Sequence, residues 1–384
     1  MAEWLIEEGL REHRAVLHQN GTIAAVRVDW LDPLRPGRIA IGRIVNKPAG
    51  TRRGLAQLDT GEQLWVDGLP PSVTEGMAVP LRIVRAPLAE RGRNKLAAAR
   101  PARADAPDCP GPSLFDSLRA TGLPVRRCRA ADGTFTALGW DEVVEQASTG
   151  TVGFDGGTLL VCPTPGMTVI DIDGAMPPRA LALAAVPAIA RAVRQLDLAG
   201  AIGIDFPSLA DRADRQAVDA ALADALQGWP GERTATNGFG FVQLVSRMER
   251  PSLAALYQRF PARVAVETLV RRAEALRDPG PLLLSAHPDL RPALCTGFDA
   301  ALQARTGRPH TWHWDEGLAL QAPGAGGAAM SRTDRKCPIC GRPRHADHAP
   351  FCSPRCRDRD LMRWLDDGYA LPGPRAAPDL PEDA

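Results

Sequence analysis

Residues Thr158 to Gly174 read TLLVCPTPGMTVIDIDG. Two apolar runs flank Pro163-Thr164-Pro165-Gly166, and the stretch predicts a β-hairpin. Its second run ends in Asp171-Ile172-Asp173. Side chains two apart on a strand share a face, which sets the two carboxylates side by side. Alanine and leucine at helical spacing follow from Pro178 to Leu198, with Pro187 as a kink point. A second apolar run, AIGIDF from Ala201 to Phe206, then brings Asp205 to a strand end. Strand, helix, strand of this length is a crossover unit, which makes the two strands parallel. With those strands close in one sheet, Asp171, Asp173 and Asp205 gather at the carboxyl-end edge, where open α/β sheets carry their sites. Three carboxylates there repel unless they are protonated or bridged by a cation, and hard oxygen donors favour magnesium or manganese. Singly, each aspartate reads better as an ordinary turn former. The Asp-x-Asp pair with a third aspartate after the crossover helix brings the site reading level with that one.

The chain has 384 residues, 45% apolar and 24% charged, with a net charge of +1. That is enough for two or three cores, and too near neutrality for a wholly basic nucleic-acid coat, though not for a local basic groove. The opening MAEWLIEEGL lacks the basic start and apolar core of a signal peptide, and no apolar run nears the ~20 residues of a membrane span. Cys109, Cys128, Cys162 and Cys295 are scattered without disulfide rhythm, while Cys337, Cys340, Cys352 and Cys356 form two tight pairs. This usage predicts a reducing cytoplasm and one metal site.

From Arg14 to Trp30 the chain alternates on either side of Asn20-Gly21, a hairpin signal. Residues 36–94 hold several short strand-like runs, among them RIAIGRIV and VPLRIVRA, which suggest a small barrel. Arg43, Lys47, Arg52, Arg53, Arg82 and Arg85 skew it positive, so an oligonucleotide-binding (OB-type) barrel is one reading. A plain small β domain is the other, because Trp65 is the one aromatic there for base stacking. Residues 95–113 read as a Pro/Ala linker. A mixed segment from Leu114 to Gln146 starts with a short helix. Leu209 to Trp229 predicts an amphipathic helix, and FVQLVSR after Asn237-Gly238-Phe239-Gly240 a strand. Arg247 and Arg250 just beyond read either as RNA-phosphate contacts or as solvated strand-end charges. Val264 to Arg277 and Pro288 to Thr306 predict helices, and PLLLSA and His310 to Trp314 strands. His310 and His313 fall on opposite faces of their strand and read as structural, not as metal ligands. Residues 321–335 read as a flexible linker.

Near the C-terminus, Cys337-Pro-Ile-Cys340 is followed after eleven residues by Cys352-Ser-Pro-Arg-Cys356. Two thiol pairs on knuckle-like turns suit a tetrahedral Zn2+ site, and so small a module needs such a staple to fold. His345 and His348 lie between the pairs as substitute ligands, but four cysteines already fill the shell. Asp358 to Tyr369 predicts a helix packing on the knuckles through Leu361, Trp364 and Leu365, and residues 374–384 read as a disordered tail.

Two resemblances complete the reading. Residues from about 1 to 320 resemble a shortened ribonuclease E/G family member, on GTLLVCPTPGMTVIDIDG, LAGAIGIDFPSLADRADRQAVDAAL, NGFGFVQLVSRMERPSL and the barrel-like stretch. The resemblance implies an α/β (α+β) nuclease body with RNase-H-like and DNase-I-like parts and an inserted OB-type barrel. It also implies Mg2+-dependent endonucleolytic cleavage of single-stranded RNA, with magnesium on Asp171, Asp173 and Asp205. Asp173 stands where the family has asparagine, Ser208 near the place of a second aspartate, and YQRFPAR (Tyr257 to Arg263) where the family's zinc link lies. The pair that senses a 5′ monophosphate has no match here. Residues 336–373, CPICGRP…APFCSPRCRDRDLMRWLDDGYALPG, resemble the YacG family, small zinc ribbons described as DNA gyrase inhibitors. That likeness implies zinc on Cys337, Cys340, Cys352 and Cys356 and binding to the gyrase B subunit. Arg355, Arg357, Arg359 and Arg363 crowd its second knuckle and helix, a basic face for an acidic protein surface or a nucleic acid. The expected organisation is thus RNase-H-like strands (1–35), barrel (36–94), linker (95–113), catalytic body (114–320), linker (321–335), zinc ribbon (336–373) and tail (374–384). Either the body cleaves RNA, or its centre is weak or inactive and the chain is a binding adaptor.

Overall fold

The computed structural model describes residues 2–90, 93–277, 280–327, 337–340, 342, 345–348 and 350–365, with the backbone alone at 93, 327, 346 and 363–365. The expected tail, residues 328–335 of the second linker, and residues 366–373 of the ribbon lie outside these.

Asn20 and Gly21 take φ of +52° and +80°, the left-handed backbone that an Asn-Gly hairpin turn requires. With β1 (Glu3–Glu8), the hairpin strands β2 (His13–Gln19) and β3 (Thr22–Asp29) form one sheet. The chain then leaves it for β4 (Ile39–Asn46), β5 (Arg53–Leu58), β6 (Gln63–Asp67), β7 (Ala78–Arg85), a small hairpin of β8 (Leu88–Glu90) and β9 (Arg93–Lys95), and β10 (Ala97–Pro101). Strands β4 to β7 and β10 close a five-stranded barrel whose interior includes Ile44, Leu64, Val66, Leu81 and Ile83. The linker expected from residue 95 therefore starts only after Pro101. Ala97 and Ala99 are fully buried in the barrel, and an alanine run carries no strand signal of its own until a neighbouring strand supplies pairing. Helix α1 (Leu114–Arg119), capped by Ser113, leads to β11 (Val125–Cys128), which pairs in parallel with β1. The strands before and after the barrel are thus neighbours in one sheet, and the barrel is an insertion.

Two short helices, α2 (Thr134–Ala137) and α3 (Trp140–Thr149), precede the larger sheet. It is built from β12 (Thr151–Phe154), β13 (Gly157–Pro163), β14 (Thr168–Gly174), α4 (Pro178–Gln195), β15 (Ala201–Asp205), α5 (Arg212–Ala225), β16 (Gly231–Arg233) and β17 (Phe241–Ser246). The strand order is β12-β13-β14-β15-β17-β16, and β14 runs parallel to β15, as a crossover through α4 dictates. Helix α4 lies between this sheet and β3, where Gln195 Nε2 donates to the Ile23 carbonyl at 2.6 Å. A helix covered on two sides needs small residues where backbones approach, and Ala182, Ala185, Ala188 and Ala192 are all buried. Pro187 sits on its exposed side, so the missing N–H does not end the helix. The other face of the sheet is uncovered: Leu160 and Val245 on it are 41% and 49% exposed.

Helices α6 (Leu253–Arg259) and α7 (Pro261–Ala275) lead to a three-stranded sheet of β18 (Leu282–Ala286), β19 (His310–Trp314) and β20 (Gly324–Gly327), with α8 (Phe298–Thr306) between β18 and β19. The start of the second expected linker is thus β20, held by pairing with β18. The helix expected over 288–306 is split into a 3-10 turn, Pro288–Ala293, and α8, because Pro292 interrupts it and Gly297 takes φ of +76°. Helix α7 is tied to the N-terminal sheet by buried charges. Arg271 Nη2 donates to Glu12 Oε1 at 2.6 Å, Arg14 Nη2 to Glu7 Oε2 at 2.6 Å, and the Arg14 guanidinium lies 4.6 Å from both the Phe135 and Trp140 rings. At the C-terminus, α9 (Pro354–Leu365) follows the cysteine knuckles. No helix among the described residues is long and apolar enough to cross a membrane.

Candidate functional sites: a carboxylate edge and a four-cysteine centre

Asp171 and Asp205 are direct register partners across β14 and β15, and Thr158 stands opposite Asp173. Ile170, Ile172, Ile202 and Ile204 point into the core beneath α4, so the alternation of each strand turns the three aspartates to the uncovered face. Asp171 is half-buried; Asp173 and Asp205 are exposed. Next to Asp205, Phe241 of β17 covers Gly203, and Gly240 takes φ of +88° so that its carbonyl accepts from Phe206 N at 3.1 Å. A Cβ on Gly240 would stand 2.5 Å from the Phe206 carbonyl oxygen, so glycine is required for this close approach. The edge thus has the expected backbone. It is not a closed coordination sphere: among the described residues, the group of three or more ligand atoms within 4.8 Å of one another is formed by cysteines, not by these carboxylates. Asp171 Oδ1 instead accepts from the N–H of Ile172 at 3.0 Å.

Arg247 and Arg250 lie at the other end of β17, beyond Val245, which pairs with Ala201 at the start of β15. Arg250 Nε donates to Asp197 Oδ2 at 2.7 Å, an internal tie. Arg247 pairs with Glu249 at 3.4 Å and is mostly exposed. The structure does not bring either to the aspartates. His310 Nε2 lies 2.8 Å from Asp299 Oδ1, while His313 faces solvent on the opposite face of β19, as their spacing implies.

The Sγ atoms of Cys337, Cys340, Cys352 and Cys356 all lie within 4.8 Å of one another, with Cys340 to Cys352 at 3.4 Å and Cys352 to Cys356 at 3.7 Å. Sulfurs at about 2.3 Å from a tetrahedral zinc are about 3.8 Å apart, so this donor set fits that ion. The first knuckle closes with Cys337 N donating to the Arg342 carbonyl at 2.7 Å, and Phe351 packs against Cys337 and Cys356. Burial opposes ionisation of Cys337, but hydrogen bonds from the N–H groups of Cys352, Ile339 and Cys340 bring its thiol down to about 6. The neighbouring sulfur of Cys340 pushes Cys352 up to about 12. Four thiols this close are a poor resting state, and a divalent cation that takes them as thiolates relieves it. His345 and His348 stay outside the sulfur group.

Residues 335–382 match the family described as DNA gyrase inhibitor YacG. The segment is 54% identical over 44 residues to the DNA gyrase inhibitor YacG of Nitrobacter hamburgensis, covering 12% of this chain and 73% of that protein. The chain belongs to the YacG family. It is also 65% identical over 37 residues to the YacG of Zymomonas mobilis (10% of this chain, 61% of that protein) and 58% identical over 41 residues to that of Rhizobium leguminosarum (11% and 59%). The chain therefore spans about three fifths of the length of these two relatives. All of this likeness lies in the C-terminal segment. The YacG-like module is thus a four-cysteine zinc-binding site, as the spacing of the cysteines predicts. Its helix differs from the expectation: α9 begins at Pro354, four residues earlier, so that Cys356 sits in its first turn. Leu361 is 55% exposed and does not pack on the knuckles, where Phe351 takes that role. The side chains of Arg363, Trp364 and Leu365 lie outside the described residues.

Proposed function

We propose that this chain joins two activities: a zinc module that acts on DNA gyrase through its B subunit, and a body that is a magnesium-dependent endoribonuclease of single-stranded RNA in the manner of the ribonuclease E/G family. The first half rests on the sulfur cluster within a segment that matches proteins described as DNA gyrase inhibitors. Arg355 and Arg359, one turn apart and exposed on α9, give the module a basic edge for an acidic partner. The test is DNA supercoiling by gyrase in the presence of the full chain. Inhibition that disappears with Cys352→Ser is expected; supercoiling undisturbed by the zinc-loaded protein removes this half.

The second half is supported by the register pairing of Asp171 with Asp205 at the carboxyl end of parallel strands. Asp171, Asp205 and, two residues along β14, Asp173 would hold the ion through hard oxygens. Bound magnesium supplies a Lewis acid and an activated water. The protein's own part is to fix the two carboxylates on rigid neighbouring strands on an uncovered face, open to a polymer. Cleavage of a labelled A/U-rich single-stranded RNA is measured with magnesium, with EDTA, and with Asp171→Ala. Cuts that persist in EDTA or in the variant remove the assignment. The unclosed carboxylates favour a second reading, an RNA-binding adaptor with a weak or inactive centre, for which RNA is bound and no lane shows cuts.

A further inference from the structure

The barrel docks on the end of the large sheet that is opposite the aspartates. Ala86 N donates to the Glu249 carbonyl at 2.8 Å, and Lys95 Nζ to the Pro165 carbonyl at 3.3 Å. Both acceptors stand near the amino-terminal ends of β14 and β15. A strand of this length puts Asp205 about 13 Å farther along. Between the barrel, the loop after β3 and helix α6 lies an open cleft of about 1040 Å³. Its size is at the top of the roughly 300–1,000 Å³ range of ligand clefts.

We propose that this cleft binds the phosphate backbone of a single-stranded nucleic acid, at a site separate from the carboxylate edge. Arg82 of β7, Arg247, Arg259 of α6 and Arg263 of α7 line it. Arg82, Arg247 and Arg259 are exposed, and neither Arg82 nor Arg259 has an ion pair with a described residue. Arg247 has only the partly exposed Glu249. Deeper in, Asp197 is already shared by Arg27 and Arg250, at 2.8 Å and 2.7 Å, which leaves that pair with surplus positive charge. Two donors of cleft residues, Trp4 Nε1 and Arg263 Nε, are buried without an acceptor. Against these arginines the cleft sets Asp29, already paired with Arg35, and Asp32, whose Oδ1 accepts from Leu34 N, so its exposed rim carries a surplus of cations, the complement of a phosphodiester chain. Trp30 cannot stack a base freely: the Arg263 guanidinium lies 4.1 Å from its ring and Phe260 abuts its edge. Recognition therefore falls on the backbone more than on the bases.

The experiment is fluorescence anisotropy of a labelled single-stranded RNA, the same sequence as single-stranded DNA, and its duplex, on the zinc-loaded full chain over a range of salt. Changing both Arg82 and Arg259 to alanine is expected to weaken single-strand binding at least about tenfold and to lower the salt slope by about 1.4, that is, two contacts at about 0.7 each. The Arg82→Lys, Arg259→Lys protein keeps the charge and should bind within about threefold of the parent; if it does not, the role of charge fails. Asp171→Ala should leave the affinity within about twofold. Equal binding of RNA and DNA supports backbone recognition alone, and a preference for RNA supports backbone recognition with 2′-hydroxyl contacts. Unchanged affinity and salt slope in the alanine variant, or tighter binding of duplex than of single strand, overturns the proposal. The outcome is independent of cleavage: lost binding in the alanine variant with no cuts in any lane keeps the cleft and removes the nuclease, and the reverse pattern keeps only the nuclease.

Discussion

Asp171 and Asp205 stand directly opposite each other on neighbouring parallel strands, on the face of the sheet that α4 does not cover. Two like charges in register destabilise a strand pair by roughly 0.2–1 kcal/mol. Without a divalent ion, Asp171→Asn should therefore raise the melting temperature slightly. With millimolar magnesium the order should reverse, because the parent gains binding energy that the variant lacks. Differential scanning calorimetry with and without magnesium checks this. A parent indifferent to magnesium would show that the edge does not bind the ion.

The same substitution carries the catalytic prediction. Even residues that only support metal ligands cost roughly 10–100-fold when lost. Asp171→Asn and Asp205→Asn should each lower RNA cleavage by more than about 100-fold, measured as single-turnover rates with protein in excess.

In the YacG-like module, zinc affinity should fall as the pH falls. The sulfur of Cys340 pushes the Cys352 thiol up, and burial pushes up that of Cys356, so both must give up protons to bind zinc and regain them as the pH falls. Protonation then competes with the metal. Release followed with a colorimetric chelator should rise steadily as the pH is lowered from neutrality, while the circular dichroism of the body stays unchanged. In Cys352→Ser, zinc content should be below one equivalent at pH 7.

The buried charges behind α7 should matter for stability more than for function. Arg271→Leu would leave the buried Glu12 without its guanidinium partner, while Glu7 keeps Arg14 and Glu267 keeps Arg11; burial already pushes Glu267 up, and Glu12 adds to it. Removing one partner of a buried ion pair costs about 3–5 kcal/mol. Urea denaturation should show a loss of that size, with an unchanged slope.

Much of the local structure is legible in the residues themselves. The hairpin at Asn20-Gly21, the hairpin from Gly157 to Gly174 and the crossover to Ala201–Asp205 follow from turn chemistry and apolar periodicity, which act within a few residues. The zinc site is legible for the same reason: its ligands come in two tight pairs whose spacing alone sets the knuckles. Ala97–Pro101 and Gly324–Gly327 were not, since alanine and glycine become strands only when a distant strand offers its hydrogen bonds. Leu361 likewise reads as a core position by its spacing, yet Phe351 reaches the sulfurs first. The sequence by itself determined the four-cysteine zinc-binding site, because the paired cysteines set their knuckles over a few residues wherever the chain takes them. Only the tertiary structure decided that Asp205 lands beside Asp171, and that Arg82 and Arg259, 177 residues apart in the chain, face one cleft at the far end of the sheet. Such juxtapositions come from how the inserted barrel docks, a balance of long-range contacts that no local pattern encodes.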